Sequence, residues 1–122
     1  MPILHGVKFE QPSPLSREAI AREIASNDTA RIATAIIAAA LHDNDRFYVE
    51  SLIVELLRHP DPWVRGVSAM AAGHVARSHR ALSMDRIVPM ISELLADPRT
   101  RGNAQDALDD VTMFVTASDS PH

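Results

Sequence analysis

One apolar pattern occurs twice in this chain at a constant offset. Val49, Leu52, Ile53, Leu56 and Leu57 are answered by Ile87, Met90, Ile91, Leu94 and Leu95, and Glu55 by Glu93. Spacings of three and four residues put each set on one face of a helix. Each set runs into an Asp-Pro pair, Asp61-Pro62 and Asp97-Pro98, an N-cap followed by the residue that loses no needed donor at a first helical position. An Arg comes next, and then small or apolar residues at helical spacing. After Arg65 they are Ser68, Ala69, Ala71, Ala72 and Val75; after Arg101 they are Ala104, Ala107, Leu108 and Val111. A helix, a capped turn and a second helix rich in small residues form one unit, and the unit recurs.

A looser copy precedes these two. Ile20 and Ile24 stand where Ile53 and Leu57 stand, and Asp28 precedes an Arg31 followed by Thr34, Ala35, Ile37, Ala38 and Leu41. The predicted hairpins pair residues 16–26 with 29–42, 46–58 with 62–78, and 84–96 with 98–115. One hairpin cannot bury such faces, whereas stacked hairpins can, so the expectation is an all-α solenoid of about three helical hairpins over residues 16–116. Ala and Gly in the second helices allow close helix approach, at about 1 kcal/mol of helix propensity each for Gly66 and Gly73. Pro2, Pro12 and Pro14 make residues 1–15 a non-helical arm, with Ile3, His5, Val7 and Phe9 alternating as in an extended segment. That arm is either a cap or a binding element. Residues 117–122 read as a disordered tail.

The stretch LLRHPDPWVRGVSAMAAG resembles the core of a HEAT repeat: a Leu-rich helix, an Asp-Pro turn, Val-Arg, then an Ala-rich helix ending in Gly. The likeness is closest over 52–76, fair over 87–112 and loose over 16–42. The third copy has Thr-Arg for Val-Arg and Asp109 for the Gly; the first has neither Pro nor Gly. The period, in the mid-thirties, is nearer to tetratricopeptide length, but the early Trp and Leu-Gly of that repeat have no counterpart, since Trp63 lies in the turn. The resemblance implies a right-handed α-solenoid of short, bacterial-type HEAT-like hairpins. It also implies a structural ladder in which Asp28 pairs with Arg31, Asp61 with Arg65 and Asp97 with Arg101, in preference to a row of guanidinium groups gripping phosphate.

Composition narrows the function classes. A net charge of −4 and an aromatic fraction of 4% argue against nucleic acid as partner, which calls for a basic stripe and stacking platforms. With no cysteine there are no disulfides, thiolate nucleophiles or Cys-based zinc sites, as suits a reducing cytoplasm. The N-terminus lacks a basic start leading into an apolar run, and the longest apolar run, IATAIIAAAL, is too short to span a membrane; a soluble cytoplasmic protein with no membrane partner is expected. His74 and His79 are five residues apart, and His42 and His59 have no neighbour at ligand spacing, so no metal or cofactor is expected. Without a GxSxG context or a Gly-rich loop, no catalytic residue is assigned and the chain reads as a non-enzyme.

The outer face of the second helices is the candidate binding surface. If residues three, four and seven after each Arg face inward, then Ala33, Ile36, Ala40, Val67, Met70, His74, Asn103, Asp106 and Asp110 face out. The expected partner-binding set is Ile36, Val67, Met70, His74, Asn103, Asp106 and Asp110, with Asp109 adjoining. The cluster Asp43, Asp45 and Glu50 lies near the far ends of the first hairpin. An apolar strip rimmed by carboxylates suits a basic protein partner. Alternatively Ile36, Val67 and Met70 are core beneath the arm, or a homodimer face. Small stand-alone bacterial HEAT-like proteins include immunity proteins, which neutralise a toxin delivered by a neighbouring cell. Many such toxins are nucleases with basic faces, so the resemblance implies that partner. The rivals are a generic HEAT-like scaffold or homodimeric module, a HEAT-like tetrapyrrole lyase or its accessory, which needs a large cleft, and a glycosylase-type DNA binder, which needs a basic groove.

Overall fold

The computed structural model describes residues 12–116; expectations for residues 1–11 of the arm and for the tail 117–122 fall outside them. Among the described residues all regular structure is helical: α1 (Arg17–Ile24), α2 (Thr29–His42), α3 (Arg46–Leu57), α4 (Pro62–His79), α5 (Met84–Glu93) continued by a 3₁₀ turn at Leu94–Ala96, and α6 (Arg101–Val111) continued by a π turn at Thr112–Thr116. No helix among them is long and apolar enough to cross a membrane.

Side-chain caps start the first four helices. Ser16 accepts from the Ala19 amide at 3.0 Å, Asp45 from Tyr48 at 3.2 Å, and Asp61 from Trp63 at 2.8 Å, with Pro62 in the first turn. Asp28 accepts from Ala30 and Arg31 at 3.0 and 3.2 Å. Each satisfies an amide that the helix itself leaves unpaired. α6 starts later than the expected residue 98. Asp97 closes a turn of its own by accepting from the Arg99 amide at 2.9 Å, and the buried Thr100 hydroxyl donates to the Leu94 carbonyl at 2.7 Å.

This use of the aspartates corrects the expected ladder. Asp28 and Asp61 spend their carboxylates on backbone amides, and neither pairs with the Arg that follows it. Arg31 instead grips Glu23 at 2.7 and 3.0 Å, clasping α1 to α2. Arg101 donates to the Leu95 carbonyl at 3.0 Å. Arg65 donates to the carbonyls of His59 and Pro60, both at 2.9 Å, and reaches across to Asp97 at 3.7 Å, so it links the second turn to the third.

In each hairpin the first helix packs on the second, α1 on α2, α3 on α4 and α5 on α6; between hairpins the main contacts are α2 with α4 and α4 with α6. The repeated apolar positions do the same work in each first helix: Ile20, Val49, Ile53, Ile87 and Ile91 are all fully buried. Because α4 has neighbours on several sides, it is buried over most of its circumference by small residues, Gly66, Ser68, Ala69, Ala71, Ala72, Gly73 and Ala76 among them. A Cβ on Gly66 would sit 2.7 Å from Asn103 Nδ2, and one on Gly73 would sit 2.8 Å from Asp110 Oδ2 and 3.3 Å from the Ala107 Cα. The two glycines are two turns apart on one face and admit α6 nearly to backbone contact.

Two clasps tie successive hairpins. Arg17 of α1 donates to Asp43 at 2.9 and 3.0 Å and to Asp45 at 3.4 Å, with its guanidinium 3.8 Å from the centre of the Tyr48 ring. Glu50 of α3, buried, accepts from Arg46 at 2.7 Å and from both the amide and hydroxyl of Ser83, the N-cap position of α5. The acidic cluster Asp43, Asp45 and Glu50 is thus committed to holding the fold together.

Two stability experiments follow from this packing. Gly66→Ala meets only the end of the Asn103 side chain, which can swing away, so it is neutral or stabilising by up to about 1 kcal/mol in urea unfolding. Gly73→Ala meets backbone and loses about 1–2 kcal/mol net of the same propensity gain. In acid, Asp97 is held down to about 2 by the Arg99 side chain and amide, with Arg65 adding to the effect. As pH falls the unfolded chain takes up this proton first, so the stability it confers is full above about pH 4 and lost through about pH 2. Asp97→Asn accordingly flattens the acid limb of stability against pH.

Candidate protein-binding face

The second helices expose one continuous surface, and the residues on it differ in part from those expected. Ile36 is 0% and Val67 is 7% exposed, so both belong to the core and leave the partner-binding set; Ala33 and Ala40 are buried too. For Ile36 the cause is register. Arg31 is the third residue of α2 but Arg65 is the fourth of α4, so aligning the two arginines rotates α2 by one residue. Alignment by the caps, Asp28 with Asp61, sets Ile36 over the fully buried Ala69 and Ile37 over the exposed Met70. Val67, with Ala33, lies in the wall of the groove between α2 and α4.

Met70, 47% exposed, stands at the junction of three adjoining shallow grooves. One, of about 260 Å³, lies between α2 and α4 and is lined by Pro12, Ala33, Thr34, Ile37, Trp63 and Val67. A second, of about 210 Å³, continues along the same pair of helices past Leu41, His74 and Arg77. The third, of about 180 Å³, crosses to α6 and is bounded by Arg77, Asp106, Ala107 and Asp110. Trp63, 51% exposed, and Ile37 complete the apolar strip around Met70, and the sequence placed neither of them on it. The cap-to-cap register identifies Ile37, and a Trp in the first turn of a capped helix was the available signal for Trp63.

The acidic side of the strip is weaker than its formal charge. Asp110 forms an ion pair with Arg77, an interaction between helices that spacing along the chain does not reveal. Asp106 and Asp109 are exposed, Asp109 accepting from Gln105 at 3.1 Å. Asn103 is half-buried over Gly66. His74 accepts at Nδ1 from Arg77 at 3.4 Å, which places its proton on Nε2. Burial pushes its pKa below the ordinary 6.5, the Arg77 and His79 charges push the same way, and Asp110 opposes them. The face therefore offers an apolar centre, a neutral imidazole, an internally balanced Arg77–Asp110 pair and the exposed carboxylates of Asp106 and Asp109. Among the described residues no three His, Asp or Glu side chains come together in a way that could hold a metal ion.

No protein-family model matches the chain, and no curated protein matches it. Among solved structures, the chain is similar to one in the crystal structure of a CDI complex from Cupriavidus taiwanensis LMG 19424, with a TM-score of 0.77 at 23% identity, over 88% of this chain and 96% of that one. The likeness is one of fold.

The electrostatics of the face are open to measurement at His74. In an NMR titration it titrates below 6.5, and Arg77→Ala moves it upward without restoring the ordinary value, because the burial remains. A folded value below the unfolded one means that His74 lowers stability as pH drops through that range, and less so in the variant.

Proposed function

We propose that this chain is the immunity protein of a contact-dependent inhibition pair: a non-enzymatic cytoplasmic protein that binds and neutralises a cognate toxin. The observation that carries the reading is the likeness in fold to a chain of a CDI complex, which spans nearly the whole of both chains. The pattern of committed charges agrees with a binding role. Asp28, Asp45 and Asp61 cap helices, while Arg31, Arg65 and Arg77 pair across elements. What remains is an apolar strip with Asp106 and Asp109 at one side, the arrangement of a buried anchor beside a charged rim.

In this reading the hairpins are HEAT-like and stack as a short right-handed solenoid, with α2, α4 and α6 forming the toxin-binding side. Met70 is the central anchor, Trp63 and Ile37 extend the apolar contact, and the two carboxylates meet basic groups of the toxin. The pairing of Arg77 with Asp110 shifts the weight from charge toward apolar burial, so the toxin is required to present an apolar protrusion as well as a basic edge.

Growth rescue is the test. Co-expression with the toxin encoded beside its gene restores growth, and the purified pair binds. Met70→Asp loses at least about 2 kcal/mol of binding, or about thirtyfold in Kd, while Asp106→Lys mainly slows association at low salt. Failure of the wild-type chain to rescue overturns the reading, and growth arrest by the chain expressed alone would make it the toxic half of the pair.

A further inference from the structure

A cavity of about 560 Å³ opens between the last turns of α3 and α5, and its lining shares no residue with the grooves around Met70. Sites for small ligands span roughly 300–1,000 Å³, so the size is suitable. Buried Leu57 and Leu94 and half-buried Met90 give it an apolar floor. Arg58 and His59 stand at the end of α3, and Glu93 is the last residue of α5. We propose that this cavity binds an α-carboxylate together with its apolar side chain and α-nitrogen, the chemistry shared by a free amino acid and the last residue of a polypeptide.

The hydrogen-bonding groups left over set that chemistry. Among the described residues the side chains of Arg58 and Glu93 have no partner, and both are exposed. His59 accepts the Asp61 amide at Nδ1, 3.0 Å away, which leaves the proton on Nε2 as a donor. The remaining polar groups of the wall are engaged. Arg65 donates to the carbonyls of His59 and Pro60, which offsets their repulsion of an incoming anion. Asp97 is held by Arg99 and faces Arg65. One side therefore offers donors and positive charge, and the other a carboxylate acceptor. Single-sign ligands fit worse: Arg58 and Arg65 oppose a bare cation, while Glu93 and Asp97 oppose a phosphate dianion. An uncharged apolar molecule would strip water from Arg58 and Glu93 with no return. A dipolar ligand answers both sides, with its carboxylate on Arg58 and His59 Nε2, its nitrogen on Glu93 and its side chain over Met90.

The test uses the full chain and needs no toxin, so its outcome is separate from that of the rescue experiment. L-leucine, N-acetyl-L-leucine and L-leucinamide are titrated in turn while the Met90 methyl and His59 ring signals are followed by NMR. Saturable shifts at both residues are expected with a carboxylate-bearing probe, at about millimolar Kd for a ligand this small, and none with leucinamide. Arg58→Gln is expected to weaken binding about tenfold. Arg58 is exposed, so the fold tolerates the change, and an unmoved Met70 methyl signal checks this. A preference for leucine over its N-acetyl form, lost in Glu93→Gln, assigns the site to free amino acids. Equal or tighter binding of the N-acetyl form assigns it to a polypeptide C-terminus. No shift with either carboxylate, leucinamide binding as tightly as leucine, or wild-type affinity in Arg58→Gln would overturn the proposal. So would shifts confined to Met70.

Discussion

The approach of α6 to α4 at Gly73 sets the terms for the rest of the molecule. A helix that admits a neighbour to within 3.3 Å of the position of its missing Cβ cannot also provide bulk to the core. The bulk comes from the first helices, whose Ile and Val side chains fill the layer between the two rows. α4, bordered by α2, α3 and α6, is left with a narrow exposed edge. Met70, His74 and Arg77 project from that edge, spaced by one helical turn. The same small residues that close the core therefore bring residues from three helices to one surface.

The second hairpin was legible in the sequence because local chemistry marks its turn, and the third by its repeated apolar positions, although Asp97-Pro98 closes a turn ahead of α6 instead of capping it. Asp61-Pro62 caps and starts α4 as read, and the paired positions Val49 and Ile87, and Ile53 and Ile91, are buried alike. The first hairpin lacked a Pro to fix its start, and the arginine used in its place misled by one residue, enough to turn Ile36 from core to surface. The Asp–Arg pairs failed for a different reason. An Asp at an N-cap has its carboxylate occupied by amides two and three residues on, and a guanidinium on a long stem finds acceptors on another element. Spacing along the chain is silent about such partners, as the pairing of Arg77 with Asp110 shows.

Fold and exposed face are carried by different residues. At 23% identity with a chain of a CDI complex the fold is kept, because capped turns, small second helices and branched apolar first helices can be met by many sequences. Met70, Trp63, Ile37, Asp106 and Asp109 are under no such obligation. Their identity is free to vary at no cost to the fold, so the fold by itself does not fix what such a face meets.

The two clasps between hairpins stand at one place in the pattern. Arg17, Glu50 and Val88 each lie three residues before a buried isoleucine, Ile20, Ile53 and Ile91. Arg17 reaches the carboxylates ahead of α3, Glu50 reaches the donors ahead of α5, and Val88 carries no polar group to reach with. The three are not interchangeable. Were the first two hairpins transposed, Glu50 would confront an aspartate, or Arg17 a donor-only amide and a neutral hydroxyl in place of two carboxylates. Polarity at this single position thus acts as an address: each unit names its successor, and the order of the array is written into the chain as firmly as the shape of its members.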